Sequence, residues 1–164
     1  MLFPSNDELR FAIVNNPLYK WFVKGERLQD VLWELEVASR GPFAEKLARP
    51  SSLWVEHVMP QSWEAHWPLP ANADLTAHQP ARDRRERLIH TLGNLTLTTD
   101  RLNIALGNGM FEAKRAKLDA SLLALNKWFA SRGEWNEAAI EERSRELAER
   151  AIAIWPHPDA AARA

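Results

Sequence analysis

The sequence predicts an α+β fold, mainly helical, with a short β-hairpin enclosed by flanking helices. Three observations lead there. Apolar residues recur at helical spacing over most of the chain, start and stop signals bracket those stretches, and two short segments with strand character interrupt them.

Taken in order, Ser5-Asn6-Asp7-Glu8 has the S-x-x-E form of a capping box, and Leu9, Ala12 and Ile13 suit a helix ending near Asn15-Asn16-Pro17. Leu28, Val31, Leu32, Leu35 and Ala38 form one apolar stripe of a second helix, which Gly41-Pro42 stops. Trp54, Val55, Val58 and Met59 around a polar centre read as a strand ending before Pro60. Residues 61–82, with Pro68, Pro70 and Pro80 and no sustained period, read as a long inter-strand loop, and Arg82–Ile89 as a helical turn. Leu95–Thr98 is the second strand and Asp100–Ala105 begins a helix. Phe111–Phe129 is mostly helical in composition, and Asn136 caps a last helix with Ile140, Leu147, Ala151 and Ile154 on one stripe. The tail from Pro156 is expected to fray. The chain divides into a helical segment 1–50, a core 51–118 and C-terminal helices 119–164, all in one domain.

Composition narrows the function classes. At 164 residues, 46% hydrophobic and 26% charged, the chain can bury a core and lacks the signature of disorder. There are no cysteines, so any metal must sit on His, Asp, Glu, Asn or water. A net charge of -1 excludes DNA binding by bulk positive charge. The eight tryptophans are scattered, which suits packing. No apolar run approaches the roughly 20 residues that span a bilayer, and no secretory signal opens the chain, so a cytoplasmic location is expected.

Four short elements are candidates for chemistry: Glu56-His57 ahead of Pro60-Gln61, Gly93-Asn94, Asn103, and Asn108 followed by Phe111 and Lys114. Singly, each has a plainer reading: a packed histidine, an asparagine in a turn or cap, a solvated lysine. Together they match the needs of phosphodiester hydrolysis. A histidine with its ordinary pKa near 6.5 is mostly neutral at cytoplasmic pH and can take a proton from water. A carboxylate and a carboxamide suit a hard cation such as Mg²⁺. One geometric objection stands: neighbouring residues of a strand point to opposite faces, so Glu56 and His57 diverge. Arg82, Arg84, Arg85 and Arg87, with Asp83 and Glu86 interleaved, could face phosphates or form a solvated, ion-paired helix.

Val55-Glu56-His57-Val58-Met59-Pro60-Gln61-Ser62 resembles the first strand of HNH nuclease domains, including those of RNA-guided CRISPR effectors. Asn94 and Asn103 resemble the second and third residues of that name. A closer resemblance, covering most of the chain, is to the C-terminal nuclease domain of GmrSD-type, modification-dependent (type IV) restriction endonucleases. It runs through Phe3-Pro4-Ser5, Pro17-Leu18-Tyr19, Glu56–Gln61, His90-Thr91-Leu92-Gly93-Asn94-Leu95-Thr96-Leu97, Asn103, Asn108, Phe111 and Lys114, and on to Trp135, Ile140, Arg143 and Trp155.

The resemblance implies a ββα-metal (His-Me finger) core and a metal-dependent DNA endonuclease serving anti-phage defence. His57 would be the general base, and Asn94 would steady the hairpin that presents it. Glu56 and Asn103 would hold Mg²⁺ or Mn²⁺, with Asn108 completing the site or merely ending its helix. Lys114, Arg84, Arg85 and Arg101 would contact DNA. His66 and His78 read as surface residues, and His90 as structural. The expected partner is an amino-terminal, ParB-like nucleotide-hydrolysing sensor. No G-x-x-x-x-G-K-[ST] loop occurs here, so the chain reads as the effector half.

Overall fold

The structure, a computed structural model, describes residues 3–22, 26–69 and 75–158, with residues 75–77 described by their backbone alone. α1 (Asn6–Asn15) starts at the expected capping box: Ser5 Oγ accepts from the Glu8 amide at 3.2 Å, and the Ser5 amide donates to Glu8 Oε2 at 2.8 Å. A one-turn helix follows, α2 (Leu18–Trp21), which periodicity cannot reveal in four residues. α3 (Glu26–Ala38) buries Leu28, Leu32 and Leu35, the stripe predicted for it.

β1 (Trp54–His57) pairs antiparallel with β2 (Leu95–Thr98), Trp54 opposite Thr98 and His57 opposite Leu95. Side-chain alternation gives Val55, His57, Leu95 and Leu97 one face and Trp54, Glu56, Thr96 and Thr98 the other. Leu95 and Leu97 join a core of Ile13, Leu28, Leu32, Leu35 and Leu147. Thr96 donates to Asn126 Oδ1 at 2.6 Å, on α7 (Ala124–Lys127). Helices therefore enclose β2, and all four of its residues are buried.

The inter-strand connection differs from the expected loop. It holds a 3-10 turn at Trp63–Ala65 and a helix, α4 (Leu75–Leu88), with Pro80 inside it. Pro80 removes one backbone hydrogen bond and masks the helix in the sequence of residues 61–82. Tertiary contacts compensate. Arg85 is buried, ion-paired to Glu137 at 2.5 Å, donating to the Trp67 carbonyl and lying 4.7 Å over the Trp63 ring, while Leu88 is fully enclosed. Arg82 adds an i,i+4 bond to Glu86 at 2.9 Å.

After β2 come α5 (Asp100–Leu106), α6 (Phe111–Asp119), α7, and α8 (Glu137–Ile154), capped as expected by Asn136, whose side chain accepts from the Ala139 amide at 3.0 Å. α8 is the spine. Leu147, Ala148 and Ala151 enter the first core, while Ala139 and Ile140 enter a second with Val58, Met59, Leu88, Phe111, Phe129 and Trp135. Trp33, Trp63, Trp67 and Trp135 are buried as packing residues, whereas Trp21 and Trp54 are exposed. The tail is pinned at its start, where the His157 amide donates to Asn6 Oδ1 at 2.9 Å; residues 159–164 lie outside the described residues.

α8 presses directly on the turn before β2. A Cβ built on Gly93 would lie 2.1 Å from the Ile140 carbonyl and 2.2 Å from Ser144 Oγ, so only glycine fits. Gly93→Ala is expected to lose at least about 2 kcal/mol in urea denaturation, and a loss within about 0.5 kcal/mol would contradict this close approach.

Candidate active site

The Asn94 side chain is fully buried with every donor and acceptor used. Oδ1 accepts from the Met59 amide at 2.8 Å and from Trp135 Nε1 at 2.9 Å; Nδ2 donates to the Met59 and Ile89 carbonyls, both at 2.9 Å. The Val58 amide also donates to the Asn94 carbonyl at 3.0 Å. Arg143, wholly buried, donates through Nη1 to the Gly93 and Leu95 carbonyls at 2.8 and 2.7 Å. The end of β1 is thereby tied to the start of β2 and to residue 89.

Those ties bring two histidines together. His57 Nε2 lies 3.3 Å from His90 Nδ1, with the rings perpendicular. Tyr19 of α2 covers them, edge-on to His57 at 4.3 Å and stacked on His90 at 6.0 Å between centroids, and its amide donates to the His90 carbonyl at 3.2 Å. Burial, and then the charges that His90 and Lys114 can carry, pushes the His57 pKa down to about 3. Burial and then Lys20 lower His90 as well. Both rings are neutral near pH 7. His57 is only 7% exposed, and its Nδ1 has no hydrogen-bond partner among the described residues, yet it is not among the sealed, unpaired polar atoms. The free edge of the imidazole therefore borders solvent. The sequence alone left His90 in a structural role and did not single out Tyr19; both lie in the stretches that carry the family resemblance.

Glu56 leaves the other face of the strand, as alternation requires, and meets Lys114. The Lys114 ammonium donates to Glu56 Oε1 at 2.7 Å and to the His57 carbonyl at 3.0 Å, and it is 1% exposed. Neither sequence expectation for Lys114, a solvated face or a DNA contact, agrees with that placement: its charge is consumed internally. Burial raises the Glu56 carboxyl against the lowering effect of Lys114. Asn103 is half-buried on the same face, its Oδ1 3.4 Å from Thr98 Oγ1, itself two residues along β2 from Glu56's partner Thr96. Asn108 is exposed just after Gly107, and Gly107, with a φ of 49°, rather than Asn108 is the residue that ends α5. The expected convergence of His57, Glu56 and Asn103 on one phosphate is thus absent: the sheet separates the imidazole from the carboxylate.

Of the expected DNA contacts, Arg85 is buried in its pair with Glu137, Arg84 is bound to Glu141 at 2.9 Å, and Arg101 is exposed. Arg82, Arg84 and Arg85 of α4 are ion-paired, whereas Arg87 is exposed. His66 and His78 are exposed, His78 on α4 rather than in a loop. The donor set does not fit a protein-held divalent ion. The one carboxylate expected to ligate is neutralised by an ammonium, and among the described residues no three His, Asp or Glu side chains gather round a common point.

Fold and site together define a mainly helical α+β domain built on a two-stranded sheet, with a neutral imidazole pair held at its clamped end. The model of the GmrSD restriction endonuclease C-terminal domain family matches residues 3–150. The chain belongs to that family, and membership implies a nuclease role in restriction. No curated protein and no solved structure matches it. Among the described residues, no helix is long and apolar enough to cross a membrane.

Two outcomes follow from the charges. Lys114→Met strands a largely buried carboxylate and is expected to lose about 3 kcal/mol at pH 8 in urea denaturation, and less at pH 5, where Glu56 can protonate; equal losses at both pH values would contradict the pairing. The His57 ring, with its folded pKa near 3, takes its proton first in the unfolded chain, so its contribution to stability falls as pH drops from about 6.5 toward 3. His57→Gln should flatten that part of the pH–stability curve, and an unchanged slope would show that His57 is not held neutral.

Proposed function

We propose that the domain hydrolyses DNA phosphodiester bonds as the HNH-type effector nuclease of a modification-dependent restriction system, with His57 as general base. The observation that carries the proposal is a neutral imidazole held at a clamped strand end with one ring nitrogen unpaired. Support comes from the family, from the order β1, connection, β2, α5, which is that of a ββα core, and from the Asn94 clamp.

In the reaction, water gives a proton to His57 as its oxygen bonds to phosphorus. The P–O3′ bond breaks, and the departing oxygen is protonated by solvent, leaving 5′-phosphate and 3′-hydroxyl ends. A base with a pKa near 3 is weak in the free protein; a phosphate anion beside it raises that pKa and strengthens it when DNA is bound. Lys114 already neutralises Glu56, so any cation that the reaction uses would be held by water and the DNA phosphate. Dependence on Mg²⁺ or Mn²⁺ is read by EDTA against added metal.

The net charge of -1 and the paired arginines of α4 suit a domain with weak DNA affinity of its own. Delivery by a tethered sensor, the ParB-like nucleotide-hydrolysing domain, would raise its effective concentration on DNA in the cytoplasm. The same charge and the slight exposure of His57 favour one second reading, a catalytically weak module that docks DNA or a partner.

A nicking assay on supercoiled plasmid decides. Wild type with Mg²⁺ or Mn²⁺ is expected to nick or linearise the DNA, and His57→Ala, folded by circular dichroism, to lose at least about 10²-fold in rate. Retained cleavage in His57→Ala contradicts the proposal, and a stable wild-type complex with intact DNA supports the second reading.

A further inference from the structure

Neither ring of the buried pair is explained by packing alone. Two neutral imidazoles meet nitrogen to nitrogen at 3.3 Å, so a single proton lies between His57 Nε2 and His90 Nδ1. Two arrangements are open. If His57 donates, both rings carry their proton on Nε2, the form imidazole side chains ordinarily favour in water, and His57 Nδ1 keeps its lone pair. If His90 donates, both rings must carry it on Nδ1, and the free edge of His57 is a donor that cannot accept a proton. The first arrangement is the more stable for both rings at once, and only the first leaves a base at the solvent-bordering nitrogen.

We propose that His90 is a positioning residue: its Nδ1 accepts the His57 Nε2 proton, fixes that tautomer, and so places the lone pair of the general base on His57 Nδ1. The proposal rests on the nuclease reading for its consequence, though not for the tautomer itself. When Nδ1 takes the proton from water, His57 becomes an imidazolium whose Nε2–H still points at a neutral acceptor, so the new charge is stabilised by an ion–neutral hydrogen bond already in place. His90 stays neutral, because two cationic rings at that separation repel. Tyr19 preserves the arrangement by covering both rings and by holding the His90 carbonyl through its own amide. Its phenol ring adds an apolar wall that keeps competing water from the shared proton.

The test is a long-range ¹H–¹⁵N correlation spectrum of the ¹⁵N-labelled protein at pH 7, run beside plasmid cleavage. In the wild type, His57 is expected to show a pyridine-type shift at Nδ1 and a pyrrole-type shift at Nε2. His90→Leu removes the acceptor: the His57 shifts should move to averaged values and kcat should fall on the order of 10²-fold with KM unchanged. His90→Gln, whose side-chain oxygen can accept the same proton, should restore both the tautomer and most of the rate. A pyrrole-type Nδ1 in the wild type overturns the proposal, as does a His90→Leu spectrum and rate identical to wild type. Should His90→Leu not fold, the wild-type spectrum alone decides. A wild type with the expected spectrum and no cleavage leaves the tautomer assignment standing and removes the nuclease reading instead.

Discussion

The structure depends on one buried amide. Asn94 has two donor and two acceptor positions, and the turn after β1, the residue before its own turn and the indole of Trp135 occupy all of them. A fully satisfied amide is rigid because each bond, if broken, leaves a polar group unpaired away from water. The end of β1, from which the His57 side chain leaves, is therefore held in place. Gly93 serves the same end, since its missing side chain lets α8 close on the turn and bring the Arg143 guanidinium onto the Gly93 and Leu95 carbonyls.

From that anchor the two faces of a minimal sheet take different chemistry. One carries the neutral histidine pair under Tyr19. The other carries charge that cancels internally, Glu56 against Lys114, next to the Thr96–Asn126 bond. The two faces are not independent, because the Lys114 ammonium also holds the His57 carbonyl. A positive charge beside the backbone of His57 helps to keep its ring uncharged, so the ion pair on one face bears on the imidazole on the other. The Lys114 ammonium thus ties the carboxylate of Glu56 to the backbone at the strand end.

Much of this was legible in the sequence, for reasons that differ by element. The capping box at Ser5, the stripe of α3, both strands and the Asn136 cap are local signals, and local signals survive folding. α2 is too short to show a period, and α4 was hidden by Pro80, whose penalty is outweighed by the Arg85–Glu137 pair and the Trp63 ring, contacts made with residues distant in the chain. Alternation along β1 foretold that Glu56 and His57 diverge. It could not foretell what each would meet, because Lys114 lies 58 residues from Glu56 and His90 lies 33 from His57. A lysine in a helical stretch such as Lys114 reads as solvated unless the fold puts a carboxylate over it. His90 was visible as part of a motif, but its nearness to His57 belongs to the closed sheet.

The most direct test of the anchor is native-state hydrogen exchange at the Met59 amide, the donor to Asn94 Oδ1. If that bond fixes the strand end, the Met59 amide exchanges only through global unfolding, with the same protection as the best-protected amides of α8. Fast exchange by local opening at Met59, while α8 stays protected, would show that the strand end moves freely and that nothing holds His57 in place.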